Sequence, residues 1–208
     1  MLHIETVEPR TLSLLKDLMT LPALKSFSLV GGTVMSLRYG HRSSVDLDLF
    51  FHKKVNLPKI IDELEATFHR RFVFKQQQIQ FGIFCFIDDI KVDIIHYPPP
   101  PIAAIEEMDT IRMYSSADIS AMKIQAILGR AQKKDFWDLY ELLQYFPLQQ
   151  LIDWHKQKYP SQMLAISIPH ALTYFADAEE SEPPVSYKKQ TWGSIKTGIS
   201  RVVSEYLK

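Results

Sequence analysis

Apolar side chains at Leu12, Leu14, Leu15 and Leu18 recur at helical spacing, and Pro22 cannot continue the hydrogen-bond ladder, so the first predicted element is a helix over 11–19. "FSLVGG" then reads as a strand ending on the adjacent glycines Gly31 and Gly32. "TVMSLRYG" reads as a two-turn helix with Thr33 near its start and Gly40 just past its end. "VDLDLFF" alternates strictly between apolar and polar, the period of a strand. A helix over 57–68 follows, with Pro58 in the first turn, where a missing N–H costs nothing. "FVFKQQ", "QIQFGIFCFI" and "KVDIIHY" are β-rich runs, and Asp88–Asp89 between the last two predicts a hairpin turn.

"PPPPI", residues 98–102, is stiff and is predicted to end the sheet. It divides the chain into an α/β part, 1–105, and a mainly helical part, 106–208. Helices are predicted in "ADISAMKIQAILGR", "KKDFWDLYELLQYF", a segment near 148–159 and "TWGSIKTGISRVVSEYLK", while "AEESEPPVSYKK" reads as a loop. The fold class is α+β, with a mixed or antiparallel sheet.

Composition narrows the function. At 208 residues, 46% apolar and 23% charged, the chain can bury a real core. Zero net charge excludes general coating of nucleic acid, so any such contact is local. Of the basic pairs, Lys53–Lys54 and Lys133–Lys134 are candidates for that contact, and Arg70–Arg71 and Lys188–Lys189 read as solubilising charge. Cys85 is the sole cysteine, which excludes an internal disulfide or a thiolate zinc cluster, and inside "FGIFCFI" it reads as a buried hydrophobe. There is no signal-peptide pattern and no run of about 20 apolar residues, so a cytoplasmic protein with no membrane partner is expected.

The acids raise the chemical question. In a strand Asp46 and Asp48 point to one face, with Cβ atoms roughly 7 Å apart. Carboxylates that close take up a proton or recruit a cation such as Mg²⁺, unless the strand simply turns a polar face to water. Asp93 lies between Val92 and Ile94; if its strand adjoins that of Asp46, three carboxylates converge, enough for two divalent ions. Gly31 and Gly32 close a strand and open a helix, which exposes unpaired N–H groups suited to phosphate, although a tight turn alone also wants glycine. No GxxxxGK[ST] loop is present. Lys123 and Arg130 share one helix face that could reach a triphosphate; Lys134 follows, and Asp135 and Asp138 are spaced to orient such cations.

"LVGGTVMSLRYGHRSSVDLDLF", "KVDII" and "ISAMKIQAILGRAQKKDFWDLYELL", spread over 27–145, together resemble the AbiEii/AbiGii-type nucleotidyltransferases of the DNA polymerase β superfamily, many of them toxins of toxin–antitoxin or phage-abortive systems. The resemblance implies a polymerase β-type fold, with Gly31 and Gly32 at the phosphates of an NTP, flanked by Arg42 and Ser43. It implies Asp46 and Asp48 as ligands of Mg²⁺, in a two-metal site with Mn²⁺ as the alternative ion, and Asp93 as the third acid, a metal ligand or the base for the acceptor hydroxyl. Lys123 and Arg130 would grip the triphosphate, Asp135 would act near the site, and Lys134 and Asp138 would support it. The implied acceptor is tRNA or another RNA, and the implied partner a cognate antitoxin. A protein or small-molecule acceptor and a catalytically silent binding module on the same fold are the alternatives. No motif marks the base pocket, for which Tyr39, His41, Phe50 and His96 are the candidate walls.

Overall fold

In the computed structural model, which describes residues 1–75 and 80–208, helix α1 (Pro9–Thr20) starts on a proline and buries Leu14, Leu15 and Leu18. Strand β1 (Ser28–Val30), helix α2 (Gly31–Tyr39) and strand β2 (Leu47–Phe51) follow, and Gly40, left-handed at φ 62°, ends α2. Helix α3 (Leu57–Phe68) is capped by Asn56, whose side chain accepts from the Lys59 N–H at 3.1 Å. Strands β3 (Phe72–Phe74), β4 (Gly82–Ile87) and β5 (Ile90–His96) come next. Asp88 and Asp89 both take positive φ, 52° and 63°, as a two-residue hairpin turn demands. Residues 76–79, which fall in the expected runs "FVFKQQ" and "QIQFGIFCFI", lie outside the described residues.

The sheet does not stop at the prolines. Strands β6 (Glu106–Met108) and β7 (Ile111–Met113) form a hairpin beyond them, and β7 pairs in parallel with β1, Leu29 opposite Met113. The result is a seven-stranded mixed sheet in the order β3-β4-β5-β2-β1-β7-β6. Arg112 fastens this edge by donating to the carbonyls of Met19, Leu24 and Phe27 at 3.0, 3.1 and 3.0 Å. Two strands of three residues are too short to display an alternation, and β7 is held by a partner far earlier in the chain.

Register sorts the two faces of the sheet. Leu47, Val92 and Cys85 stand side by side, as do Leu49, Ile94 and Ile83, and all six are buried. The thiol of Cys85 is pushed up to about 12 by that burial, so it behaves as a small apolar side chain. α3 packs on the β3–β4 end of the sheet. The alternation that buries these residues turns Asp48, Asp93 and Lys91 to the opposite face.

The C-terminal part consists of α4 (Ser116–Gly129), α5 (Lys133–Leu142), α6 (Leu148–Lys158), α7 (Ile168–Thr173) and α8 (Trp192–Tyr206). Helix α7 falls in a stretch to which the sequence pattern assigns nothing. α2 touches β1 and β2 on one side and α4 and α5 on the other, which makes it the joint between sheet and helices. Among the described residues no helix is long and apolar enough to cross a membrane.

Candidate active site

Asp48 and Asp93 are directly opposite each other on the parallel strands β2 and β5. Across β2's other edge Asp48 pairs with Val30, the residue before α2. The first turn of α2 therefore rests against the carboxylate: a β-carbon on Gly31 would lie 2.5 Å from Asp48 Oδ2, and Gly31 itself has φ 74°. A β-carbon on Gly32 would lie 2.4 Å from the Arg42 guanidinium. Gly31 needs glycine for its left-handed backbone as well as for the space, whereas at Gly32 a side chain would have to push the end of Arg42 aside. Asp46 sits one residue before β2, and its carbonyl accepts from the Thr33 hydroxyl at 2.5 Å, which ties it to α2.

Burial, then the charge of Asp93 and more weakly that of Asp46, push the Asp48 carboxyl up to about 6 against the pull of Lys91 and Lys123. Lys91 donates to Asp93 Oδ2 at 2.6 Å, while Asp93 Oδ1 is buried without a partner among the described residues. Lys91 was not among the residues singled out from sequence. It shares a face with Asp93 only because it lies two positions before it on the same strand.

The cations are held from behind. Asp138 receives Lys123 at 2.6 Å, Arg42 at 2.6 and 2.8 Å, and His41 Nε2 at 2.7 Å. Asp135 receives Lys123 at 3.2 Å and Arg130 at 3.1 and 3.2 Å. Burial works to raise Asp138, but Arg42 and Lys123, with the His41 and Arg42 hydrogen bonds, outweigh it and hold the group well below the usual carboxylate range. Asp135 is lowered in the same way, burial being overcome by Lys123 and Arg130. Both acids are fully buried, and neither reaches the cavity wall. The part that histidine 41 plays in this knot carried no signal in the sequence.

The acids and cations open onto one cavity of about 300 Å³. Asp46, Asp48 and Asp93 line it, with Gly31 and Gly32 at one side. Arg42, Ser43, Lys123, Arg130 and Lys134 complete the wall, joined by Lys91 and Pro184. A second cavity of about 360 Å³ shares Gly31, Asp48, Lys123 and Arg130 with the first and is walled mainly by apolar side chains. Of the four candidate base-pocket residues, Phe50 lines it; Tyr39, His41 and His96 line neither cavity.

Pro184 is delivered by a segment that reads from sequence only as a loop. Ser43 N–H donates to the Val185 carbonyl and Tyr187 N–H to the His41 carbonyl, each at 2.9 Å, and Lys188 Nζ meets Glu141 Oε1 at 2.5 Å. Lys188 is thus paired with a buried acid, contrary to its expected role as solubilising charge.

Among the described residues no three acidic, histidine or cysteine side chains are gathered tightly enough to cage a metal ion by themselves. The site instead offers hard oxygen donors, the carboxylates of Asp46, Asp48 and Asp93 on one cavity wall, and the ionisation of Asp48 is opposed by burial and by the charges of Asp93 and Asp46. Such a donor set fits Mg²⁺, which commonly takes one or two carboxylates and completes its shell with substrate phosphates and water.

The family model described as "Nucleotidyl transferase AbiEii toxin, Type IV TA system" matches residues 13–192. The chain is 31% identical over 204 residues to the uncharacterized protein aq_aa25 of Aquifex aeolicus (strain VF5), covering 93% of this chain and 94% of that one. Among solved structures it is similar to MenT4, the nucleotidyltransferase toxin Rv2826c from Mycobacterium tuberculosis H37Rv, with TM-score 0.60, 14% identity and coverage of 93% of this chain and 84% of that one. It is also similar to JHP933 from Helicobacter pylori, with TM-score 0.57, 16% identity and coverage of 96% and 92%. At these identities the two structural likenesses are likenesses of fold.

Proposed function

Because the chain belongs to the AbiEii nucleotidyl transferase toxin family, we propose that it transfers a nucleoside monophosphate from an NTP to a hydroxyl of an RNA, tRNA first among the candidates, as the toxin partnered by a cognate antitoxin. The observation that carries the reading is the in-register pair Asp48 and Asp93 beneath the first turn of α2. Gly31 and Gly32, at the start of α2, and the cations Lys123 and Arg130 line the same cavity, so a triphosphate there would meet the positive end of a helix on one side and cations on the other. Asp135 and Asp138 act through these cations and hold them in place, and Lys134 adds charge at the rim.

Asp46, Asp48 and Asp93 would hold Mg²⁺ or Mn²⁺, which when bound supplies the positive charge that neutralises the triphosphate. Asp93, which lines the cavity, would be a ligand of that ion or the base that takes the proton of the acceptor hydroxyl. The hydroxyl oxygen then bonds to the α-phosphorus as the bond to the β-phosphate oxygen breaks. Pyrophosphate leaves with that electron pair, its charge met by Lys123 and Arg130.

Purified protein incubated with each α-labelled NTP, Mg²⁺ and total bacterial RNA tests this. Label should move to RNA and be lost in Asp46→Ala and Asp48→Ala. Label on protein or a small molecule would keep the transfer and change the acceptor. NTP binding with no pyrophosphate released in the presence of any acceptor would leave a silent binding module.

A further inference from the structure

The second cavity has the complementary chemistry to the first. It adjoins the first at Gly31, Asp48, Lys123 and Arg130, which line both, so a ligand with its phosphates among the acids and cations would have its uncharged end close to it. On α4, Ile119, Met122, Lys123 and Ala126 fall on one helix face, and Arg130 follows directly after the helix, so a phosphate-side cation and apolar cavity wall come from the same face. Phe50 and Tyr97, with ring centroids 5.0 Å apart, supply an aromatic surface for a flat ring.

Two neutral polar side chains stand in this wall, Tyr97, whose hydroxyl is bonded to that of Tyr159, and Gln125. Oε1 of Gln125 lies 3.0 Å from Nε2 of His155, which is 2% exposed. Burial lowers His155 to about 4, so near neutral pH the ring carries a single N–H, and in the tautomer that carries it on Nε2 the ring donates to Oε1 and fixes the amide. The amide nitrogen of Gln125 then has no protein partner among the described residues. A donor left over at the wall of an otherwise apolar cavity is what a base edge requires.

We propose that this cavity receives the nucleobase of the NTP, that Gln125 reads its edge through the amide N–H group, and that His155 is the positioning residue that holds Gln125 in that orientation. The inference rests on the nucleotidyl-transfer reading and names the part of the protein that selects among NTPs. Gly129 provides an independent handle. It lines the cavity, and a β-carbon there would meet no atom within 4 Å, so alanine fills ligand space without striking the protein.

Calorimetry on the full chain with Mg²⁺, the four α,β-methylene NTPs, which cannot transfer, and inorganic tripolyphosphate provides the test. The unaltered protein should separate its best and worst bases by about tenfold, the worth of one hydrogen bond in a dry site. Gln125→Ala should draw the four together to within about threefold with tripolyphosphate affinity unchanged. Gln125→Glu, which exchanges donor for acceptor, should change which base binds best. His155→Phe should lose selectivity as Gln125→Ala does, a readout that a purely structural role would not move. Gly129→Ala should weaken all four nucleotides and spare tripolyphosphate. Unchanged base selectivity in Gln125→Ala, or unchanged nucleotide affinity in Gly129→Ala, overturns the assignment and leaves nucleotidyl transfer standing. Failure of both nucleotides and tripolyphosphate to bind the unaltered protein overturns the transfer reading itself.

Discussion

A β-carbon on Gly31 would stand 2.5 Å from Oδ2 of Asp48, so the start of α2 and the acid strand are fitted to each other with no room for a side chain. Gly31→Ala combines that collision with a left-handed backbone at φ 74°. We expect about 2–3 kcal/mol of lost stability and a fall in transfer rate of more than about a hundredfold as the carboxylate is displaced. Gly32→Ala strikes the Arg42 guanidinium instead, so its main effect should be weaker NTP binding. Thermal denaturation and single-turnover transfer on both variants check this; wild-type turnover in Gly31→Ala would show that the close approach has no bearing on the chemistry.

Asp48 sets a pH dependence of stability whose sign follows from its raised value of about 6. The folded protein binds this proton more tightly than the unfolded chain, whose carboxyl titrates near 3.9. The resulting stabilisation is complete below the unfolded value and is lost as pH rises through about 6. Asp48→Asn removes the ionising group. In EDTA at pH 7 to 8 the variant should be the more stable form, by up to about 3 kcal/mol, and the excess should vanish on titration to pH 4. Urea unfolding across that range measures it, and an offset that ignores pH would mean that Asp48 is ordinarily solvated.

Asp138 behaves in the opposite sense. Its carboxyl is held well below the usual range, so its contribution is present above the unfolded value near 4 and disappears only as pH falls through the depressed one. Asp138→Ala strands His41, Arg42 and Lys123 around a buried gap and should cost about 3–5 kcal/mol. Asp135→Ala frees Arg130, whose side chain is 54% exposed and can turn to water, and leaves Lys123 with Asp138. Its penalty should be smaller in melting temperature and larger in NTP affinity. Equal destabilisation by the two substitutions would contradict this division.

What sequence made legible, and what it hid, follows from how far each signal reaches along the chain. The helix at 57–68 and the Asp88–Asp89 turn are local patterns, and the structure has both. The alternation of "VDLDLFF" implies that Asp48 leaves the core, and register with β5 then brings Asp93 to it. The β6–β7 hairpin was missed because Asp109–Thr110 is not a common turn pair and each strand has three residues. Lys91, Gln125 and His155 were invisible for a different reason: each matters through a neighbour that only tertiary packing supplies.

The loop that carries Pro184 to the phosphate cavity is fastened by Lys188 to Glu141, a carboxylate 1% exposed whose Oε2 has no partner among the described residues. Lys188→Met should therefore do two separable things. It leaves a buried acid without its cation, for which we expect about 2 kcal/mol of lost stability, and it releases the segment from α5, which should raise the KM for NTP severalfold. Adding Glu141→Gln removes the stranded charge, and the double variant should regain most of the melting temperature because a neutral amide needs only a hydrogen bond. The strap stays unfastened in that protein, so the raised KM should persist. Recovery of both quantities together would mean that the ion pair serves stability alone and that Pro184 keeps its place through the backbone bonds to His41 and Ser43.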